Sequence, residues 1–379
     1  MNNAKKLRPT TEFGVNLAGY FTGQFGVGTS ARAFAEALEQ ASVPLVLNNQ
    51  TAPSHVQRAF LPNDAFCNDN PYRINIIHIN ADEAKYFFST VGPEYSHNRF
   101  NIGIWYWELS NFPEKWQDRF QYYQELWVLS RFTAESLSKA SPIPIVKVRY
   151  PLPAPTHTIL PREARRRYGI RDEQFVFLFV FDFHSSIERK NPHGLLRAFS
   201  DAFKGQNDVL LLINGINGHA HSDELSMLRN KSKGLNVRIL EEHLSWPDYH
   251  ALFSAANCYA SLHRSEGFGV PIAEAMLLGK PVIATGYSGN MDYMNLNNSL
   301  PIKFKMIQLN ESHGPYEKGN VWADPDIEHA SGLMRWVYEN RDEADRIGGR
   351  AQIEIRETLN PTLAGREMKE RLKLISSKI

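Results

Sequence analysis

The sequence predicts an α/β protein built from two Rossmann-like domains facing across a cleft, and three observations carry that expectation. Its 379 residues exceed one ordinary domain and suit two of ~150–200 residues each. Short, continuously apolar runs alternate with helix-length segments, the pattern of βαβ units whose parallel strands are covered on both faces. A proline cluster, Tyr150-Pro-Leu-Pro-Ala-Pro155 with Pro161 beyond it, interrupts ladders and helices alike and marks a boundary. The expected division is 1–155, 156–345 and a pair of tail helices, 346–379, that pack back on the N-terminal domain.

Taken in order, the N-terminal half offers strands at 15–20, 74–79, 102–107, 126–129 and 145–148. Helices are expected at 30–40, 113–124 and 133–139, with Ser130 read as the cap of the last or as a contact to a bound ligand. After the prolines the pattern sharpens. Unbroken apolar runs at 175–181, 209–213, 237–240, 258–262 and 281–285 read as buried parallel strands. Helices fall at 192–203, 223–230, 246–256 and 271–278, the first opened by Asn191-Pro192 and the last by Pro271, since proline suits a first helical position. Residues 327–379 read as two or three helices broken near Asn360-Pro361.

Composition removes several classes of function. Hydrophobic residues make up 42% and charged residues 22%, so each half can bury a core. A net charge of +1 lacks the basic surplus that phosphate tracking along nucleic acid needs. The run Arg162, Arg165, Arg166 and Arg167 reads as a solvated helix face, with a membrane-docking patch as the other reading. The two cysteines, Cys67 and Cys258, have no CxxC partner, which excludes a zinc ribbon and fits a reducing compartment. The first residues, MNNAKKLRPTTEFG, have no apolar stretch of the secretory kind. The longest greasy run, 175–183, is about half of the ~20 residues a membrane span needs. A soluble cytoplasmic protein is expected, with a peripheral position on the inner membrane face as an extension of that reading.

The most informative stretch, 259–284, reads YASLHRSEGFGVPIAEAMLLGKPVIA. A strand ends near Leu262, a polar loop carries His263, Arg264, Ser265 and Glu266, and Gly267-Phe268-Gly269 lets the backbone approach a ligand. A helix then starts at about Pro271, so its free N–H groups and positive end suit a phosphate or sugar oxygens. Glu274 is expected in the first turn of that helix, facing the same cavity. Two carboxylates beside a phosphate seat make sense when the ligand also carries hydroxyls.

These residues resemble the retaining glycosyltransferases of family 4, whose fold is GT-B. Glu266 and Glu274 have the spacing of that family's Glu-x7-Glu pattern, and SEGFGVPIAEAMLLGKPVIAT matches it contiguously. The resemblance implies that Glu266 contacts the donor sugar and Glu274 the ribose hydroxyls. It also implies that the amides of Gly267, Phe268, Gly269 and Val270 hold sugar and diphosphate. A second segment, Phe181-Asp-Phe-His-Ser-Ser-Ile-Glu-Arg-Lys-Asn-Pro192, sets Arg189 and Lys190 ahead of a helix, where adjacent cations call for an anion. The family places an Arg and a Lys here on the donor diphosphate. Its common pattern separates them by several residues, so Ser185 or Ser186 shares the role of Arg189 in this reading. The loop Tyr287–Asn290, with Ser288 and Asn290, lines the donor pocket by resemblance or serves as a plain connecting turn. His263 reads either as a packed histidine or as part of the site.

The N-terminal loop raises a rival. Gly26-Val-Gly28-Thr-Ser-Ala31 fits G-x-G-x-x-G/A between a strand and a helix. A dinucleotide site would carry an acid about ~20 residues on, but Leu45-Val-Leu-Asn-Asn-Gln50 has none. The same loop fits a position near donor phosphates and acceptor in family 4. Ile104-Trp-Tyr-Trp-Glu108 groups aromatics with a carboxylate, a way to grip a sugar, though Trp105 and Trp107 also read as core. His78, Asn80 and Asp82 read as ordinary strand-end polarity.

The resemblance implies transfer from a nucleotide-diphosphate sugar to a saccharide or lipid-linked acceptor with retention. No cofactor or metal is expected, because the only Asp-x-Asp, Asp324-Pro-Asp326, reads as a helix-capping turn. The roles by residue are catalysis for Glu266, Lys190, Arg189 and Glu108. Ligand binding is assigned to Glu274, Gly267, Phe268, Gly269, Val270, Gly26, Gly28, Ser186, Ser288, Asn290 and His263. A sugar-nucleotide epimerase and a non-catalytic nucleotide-binding protein are the alternatives.

Overall fold

The computed structural model describes residues 12–52, 54–58, 60–155 and 159–379. The segment up to residue 11, read above for a leader, lies outside the described residues, as do residues 156–158 of the linker. The chain divides into two compact units, Met1–Pro153 joined by Leu359–Ile379, and Ala154–Thr358. The break at 153/154 falls inside the proline cluster.

The first unit holds six parallel strands, β1 (Val15–Gly19), β2 (Leu45–Asn49), β3 (Ile74–His78), β4 (Phe100–Ile104), β5 (Glu125–Val128) and β6 (Ile145–Lys147), in the order β2-β1-β3-β4-β5-β6. Helices α1 (Gly26–Gln40), α2 (Ala81–Val91) and α3 (Arg131–Ser138) connect them. Three asparagines cross the sheet side by side. Asn16 Nδ2 donates to Asn75 Oδ1 at 2.8 Å, and Asn75 Nδ2 donates to Asn101 Oδ1 at 2.8 Å. All three are buried, so their bonds tie β1, β3 and β4 into one register, since a one-residue slip would turn each to the other face.

Several expectations shift here. The expected strand 102–107 ends at Ile104, and the expected helix 113–124 is a 3-10 run, Glu114–Tyr122. Helix α1 begins at Gly26, four residues before the expected start, so the glycines lie in its first turn. Helix α2 had no signal in the alternation of apolar runs.

The second unit opens with α4 (Pro161–Arg167) and carries β7 (Phe175–Asp182), β8 (Val209–Ile216), β9 (Val237–Leu240), β10 (Cys258–Ser261), β11 (Val282–Thr285) and β12 (Leu300–Ile302). The sheet is parallel with the order β12-β11-β10-β7-β8-β9. The turn α5 (Ile187–Lys190) and helices α6 (Pro192–Phe203), α7 (Ser222–Ser232), α8 (Trp246–Ala255) and α9 (Val270–Leu277) cover it. An antiparallel pair, β13 (Phe304–Gln308) and β14 (Val321–Pro325), precedes α10 (Ile327–Glu339) and α11 (Arg341–Thr358). The order reverses between β7 and β10, and ligands of such sheets bind beyond the carboxyl ends of the strands at that reversal.

The last helix, α12 (Pro361–Ser376), returns to the first unit. Gly365 lies so close to the Ala37 carbonyl of α1 that no side chain fits. Arg371 pairs with Glu125 on β5, which also accepts from Trp127 Nε1 at 2.8 Å. Of the segment 346–379 expected to return, the portion in α11 packs on α9 instead. Gly348 lies against the Gly279 carbonyl at the end of α9.

Candidate active site

Topology brings two loops together in the second unit. The loop after β7 and the loop after β10 flank the reversal of strand order, and the Arg264 N–H donates to the Arg189 carbonyl at 2.7 Å. Each loop is fixed by its own turn chemistry. Ser186 adopts a φ of +64° and caps α5, accepting from the Arg189 N–H at 3.4 Å. Asn191 is left-handed and caps α6, its Oδ1 accepting from the Gly194 N–H at 3.0 Å. Its amide also donates to the Leu262 carbonyl at 2.9 Å.

This frame converges two cations on one carboxylate. Lys190 Nζ lies 2.5 Å from Glu266 Oε1, and Arg189 Nη1 lies 3.2 Å from Oε2. Arg189 Nη1 also donates to the Ser265 carbonyl at 2.8 Å. Arg189 and Glu266 are buried. Burial alone would push the Glu266 carboxyl up, yet Lys190 and Arg189 together carry it down to about 2. The cluster therefore holds two positive charges against one negative, an excess suited to an anion.

The glycines after Glu266 open α9. Gly269 stands left-handed at φ +85°, and a Cβ there would meet Tyr293 Oη at 2.9 Å. Tyr293 Oη donates to the carbonyls of Phe268 and Gly269, at 2.9 and 2.7 Å, which fixes the direction of those peptides. Pro271 has no N–H and the Ile272 N–H donates to the Gly269 carbonyl at 3.0 Å, so Val270 carries the first-turn N–H that has no acceptor within the helix. Gly267, Phe268 and Gly269 thus lead from Glu266, which Lys190 pairs, into the N-terminal end of α9 at Val270. Glu274 is the fifth residue of α9 and lies in its second turn, not the first, because the helix starts at Val270. Its Oε2 accepts from Tyr249 Oη at 2.7 Å, and burial raises the carboxyl to about 7 against that hydrogen bond.

The loop after β11 braces this centre. The Glu266 N–H donates to Ser288 Oγ at 2.8 Å and the Gly289 N–H to the Glu266 carbonyl at 2.9 Å. Asn290 is fully buried, with Nδ2 on the Thr285 carbonyl at 2.9 Å and Oδ1 3.0 Å from His263 Nε2. The Asn290 carboxamide oxygen accepts, so that histidine nitrogen carries the proton. Burial lowers His263 to about 4. Ser288 thus bonds the Glu266 backbone directly, while Asn290 and His263 bond each other and the loop after β11.

The structure adds residues the sequence did not mark. The hairpin β13–β14 lays Tyr316 under the Arg189 guanidinium and Trp322 under that of Arg264, both at 5.6 Å. Asp324 pairs with Arg264 at 3.2 Å, while Asp326 caps α10, accepting from the His329 N–H at 3.0 Å. The two acids of Asp-Pro-Asp thus have separate employment. Aromatics in a polar tail segment were the available signal for the hairpin. Nothing in the chain before Glu274 singles out Tyr249.

The first unit gathers its candidates elsewhere in the chain. Gly28 is buried under the Gly23 and Tyr20 carbonyls, so a side chain there has no room, whereas Gly26 is exposed. Trp105 and Trp107 are core. Trp105 packs on Phe112, Phe120 and Tyr123, and Trp107 on Phe112 and Trp116. Of that strand-end group, Tyr106 and Glu108 reach partial exposure. Tyr106 donates to Ser30 Oγ at 2.5 Å and lies 3.0 Å from His78 Nε2. Among the described residues no group of three or more His, Cys, Asp or Glu could hold a metal ion, and no helix is long and apolar enough to cross a membrane.

Comparison with known proteins agrees with this architecture. Sucrose-phosphate synthase from Thermosynechococcus elongatus superposes with a TM-score of 0.69 at 14% identity, covering 97% of this chain and 100% of that one. HepE of Anabaena, in complex with UDP and glucose, gives 0.68 at 14% identity, over 96% and 100% of the two chains. A glycosyltransferase from Rickettsia africae gives 0.67 at 14% identity, over 97% and 99%. At that identity the likeness establishes the fold, two parallel six-stranded sheets of the GT-B kind. No curated protein matches the sequence. The family model for glycosyl transferases group 1 matches residues 162–353, half of the chain and every second-unit loop described above, and the chain belongs to that family.

Proposed function

We propose that this glycosyltransferase moves a sugar from a nucleotide-diphosphate donor to a saccharide or lipid-linked acceptor, with retention and in the manner of family 4. The observation that carries the reading is Glu266 held between Lys190 and Arg189 at the opening of α9. Diphosphate charge developing on the leaving group meets Lys190, Arg189 and the Val270 amide at the opening of α9, donors held in place before the reaction. Glu266 takes the sugar hydroxyls and Glu274 the ribose. The diphosphate's own oxygen can then remove the acceptor proton, so the reading asks for no separate base and no metal. In support, HepE is known with UDP-glucose bound, and TarM of S. aureus with UDP.

In this reading the first unit selects the acceptor through Gly26, Gly28 and Glu108. The protein works in the cytoplasm, at the inner membrane face when the acceptor is lipid-linked, in bacterial polysaccharide or glycoconjugate synthesis. A thermal-shift series with ADP, GDP, CDP and UDP in EDTA tests the core of it, since a ligand of the folded state raises its stability. One base should stabilise the protein, and its sugar conjugate should yield product with the donor's anomeric configuration. The reading is overturned if no diphosphate binds, if the product is inverted, or if transfer stops in EDTA and returns with Mn²⁺.

A further inference from the structure

Glu274 is a buried carboxyl whose oxygen Oε2 is bonded to the hydroxyl of Tyr249, 25 residues earlier on α8. The tyrosine ring is itself held. Trp246 meets it at 5.6 Å and 77°, and Phe253 at 5.1 Å and 64°, one helical turn to either side. Phe253 is fully buried and stacks on Tyr259 of β10 at 5.9 Å and 10°. The hydroxyl position is therefore set from the sheet outward, through a chain of ring contacts that ends on half-buried Trp246 and Tyr249. Lys190 and Arg189 both serve Glu266, and the hydrogen bond from Tyr249 is what favours the charged form of Glu274 against burial.

A carboxylate offers about four lone-pair directions, and a freely rotating one presents them at random to a ligand. With Oε2 bonded at 2.7 Å to a fixed hydroxyl, the carboxylate plane is set and the remaining directions are aimed. Two neighbouring hydroxyls of a ribose need such an aim, because both must donate to one group at once. We propose that Tyr249 is a positioning residue for nucleotide recognition: it orients Glu274 so that the site distinguishes a ribose from a 2′-deoxyribose. The inference rests on the reading of Glu274 as the ribose contact and adds the residue that makes the contact selective. A site built to bond a hydroxyl rejects a ligand lacking it, because its own buried polar groups are then left unpaired.

The test titrates the diphosphate selected by the thermal-shift series, and its 2′-deoxy form, into the wild type, Glu274→Gln and Tyr249→Phe by calorimetry. Tyr249→Phe keeps the ring and its packing and removes only the hydroxyl. The wild type should prefer the ribonucleotide by at least about tenfold, the worth of one well-made hydrogen bond. In Tyr249→Phe that preference should fall to within about threefold, through weaker binding of the ribo form with the deoxy form unchanged. Donor KM should rise while kcat holds. Equal weakening of both nucleotides, or no weakening, overturns the role of Tyr249 while leaving Glu274 in place. A preference that survives in Glu274→Gln overturns the ribose assignment itself, and the inference with it.

Discussion

Arg189 and Lys190 are neighbours in sequence and reach different oxygens of one carboxylate, a geometry that the short turn α5 imposes by ending both side chains on the same loop. Removing Lys190 leaves diphosphate charge less well compensated as it develops, so Lys190→Ala should lower kcat by ~10²–10³. A variant within a few-fold of the wild type in steady-state transfer would place the lysine outside the reaction. The same centre holds two groups with opposed responses to pH. His263 is buried and lowered to about 4, so its contribution is complete above the ordinary 6.5 and lost as pH falls toward 4. Glu274 is buried and raised to about 7, so its contribution is complete below the ordinary 4.5 and lost as pH rises toward 7. Each amounts to at most about 3 kcal/mol. Urea denaturation between pH 4 and 7 should thus show Glu274→Gln losing stability more steeply toward acid than His263→Gln. Parallel curves would remove both shifts, because either one alone would make the curves diverge. The sequence made Glu266, Glu274 and Lys190 readable because loop glycines and a helix-opening proline frame them. The half-buried Tyr249 and the buried Tyr293 and Tyr316 were hidden because a tyrosine in a helix or tail looks the same whether it packs or donates a bond.

Among the elements, the strands of the second unit were plain in the sequence because a strand covered on both faces must be apolar throughout, as 175–181 is. The strands β12, β13 and β14 were not, since β12 is only three residues with a central proline, β13 is mostly exposed and β14 mixes buried apolar residues with Asp324 and Pro325. In the first unit the strand after Arg99 stops at Ile104: the Trp105 N–H still donates to the Trp127 carbonyl of β5, but the Tyr106 N–H turns instead to Asn80 Oδ1, which no alternation of polar and apolar residues announces. Helix α12 shows how a tail element is secured. Its Arg371 supplies the counter-charge for Glu125, which is 1% exposed. Truncation leaves that carboxylate with Trp127 as a neutral partner. Breaking such a pair from one side costs about 3 kcal/mol. Arg371→Ala should therefore lower the unfolding free energy by that order in urea, whereas Lys373→Ala, on an exposed pair with Glu370, should change it by less than about 0.5 kcal/mol. Similar losses from both would mean that the Glu125 pair contributes nothing particular.

At the scale of the whole molecule, the two Rossmann-like units divide the candidate residues cleanly. Arg189, Lys190, Glu266, Gly267, Phe268, Gly269, Val270 and Glu274 all fall within Ala154–Thr358, and Gly26, Gly28 and Glu108 within the other unit. If the first unit selects the acceptor, Glu108→Ala should leave nucleotide affinity within about twofold and reduce transfer at least tenfold more than slow donor hydrolysis. Weaker nucleotide binding by that variant would reassign Glu108 to the donor. That two domains exist was legible from length, alternation and the prolines. That the second interrupts the first was legible only in outline, because the glycine approaches that place α11 and α12 on different units depend on partners distant in sequence. The interruption has a consequence for how the protein is made. A chain emerging from the ribosome presents all six strands of the first unit before any of the second, yet Glu125 and the Ala37 turn of α1 wait for residues 361–376. The second unit, whose residues end at Thr358, has its full complement earlier. The domain synthesised first is thus the one completed last, and during that interval it holds a buried carboxylate without its arginine.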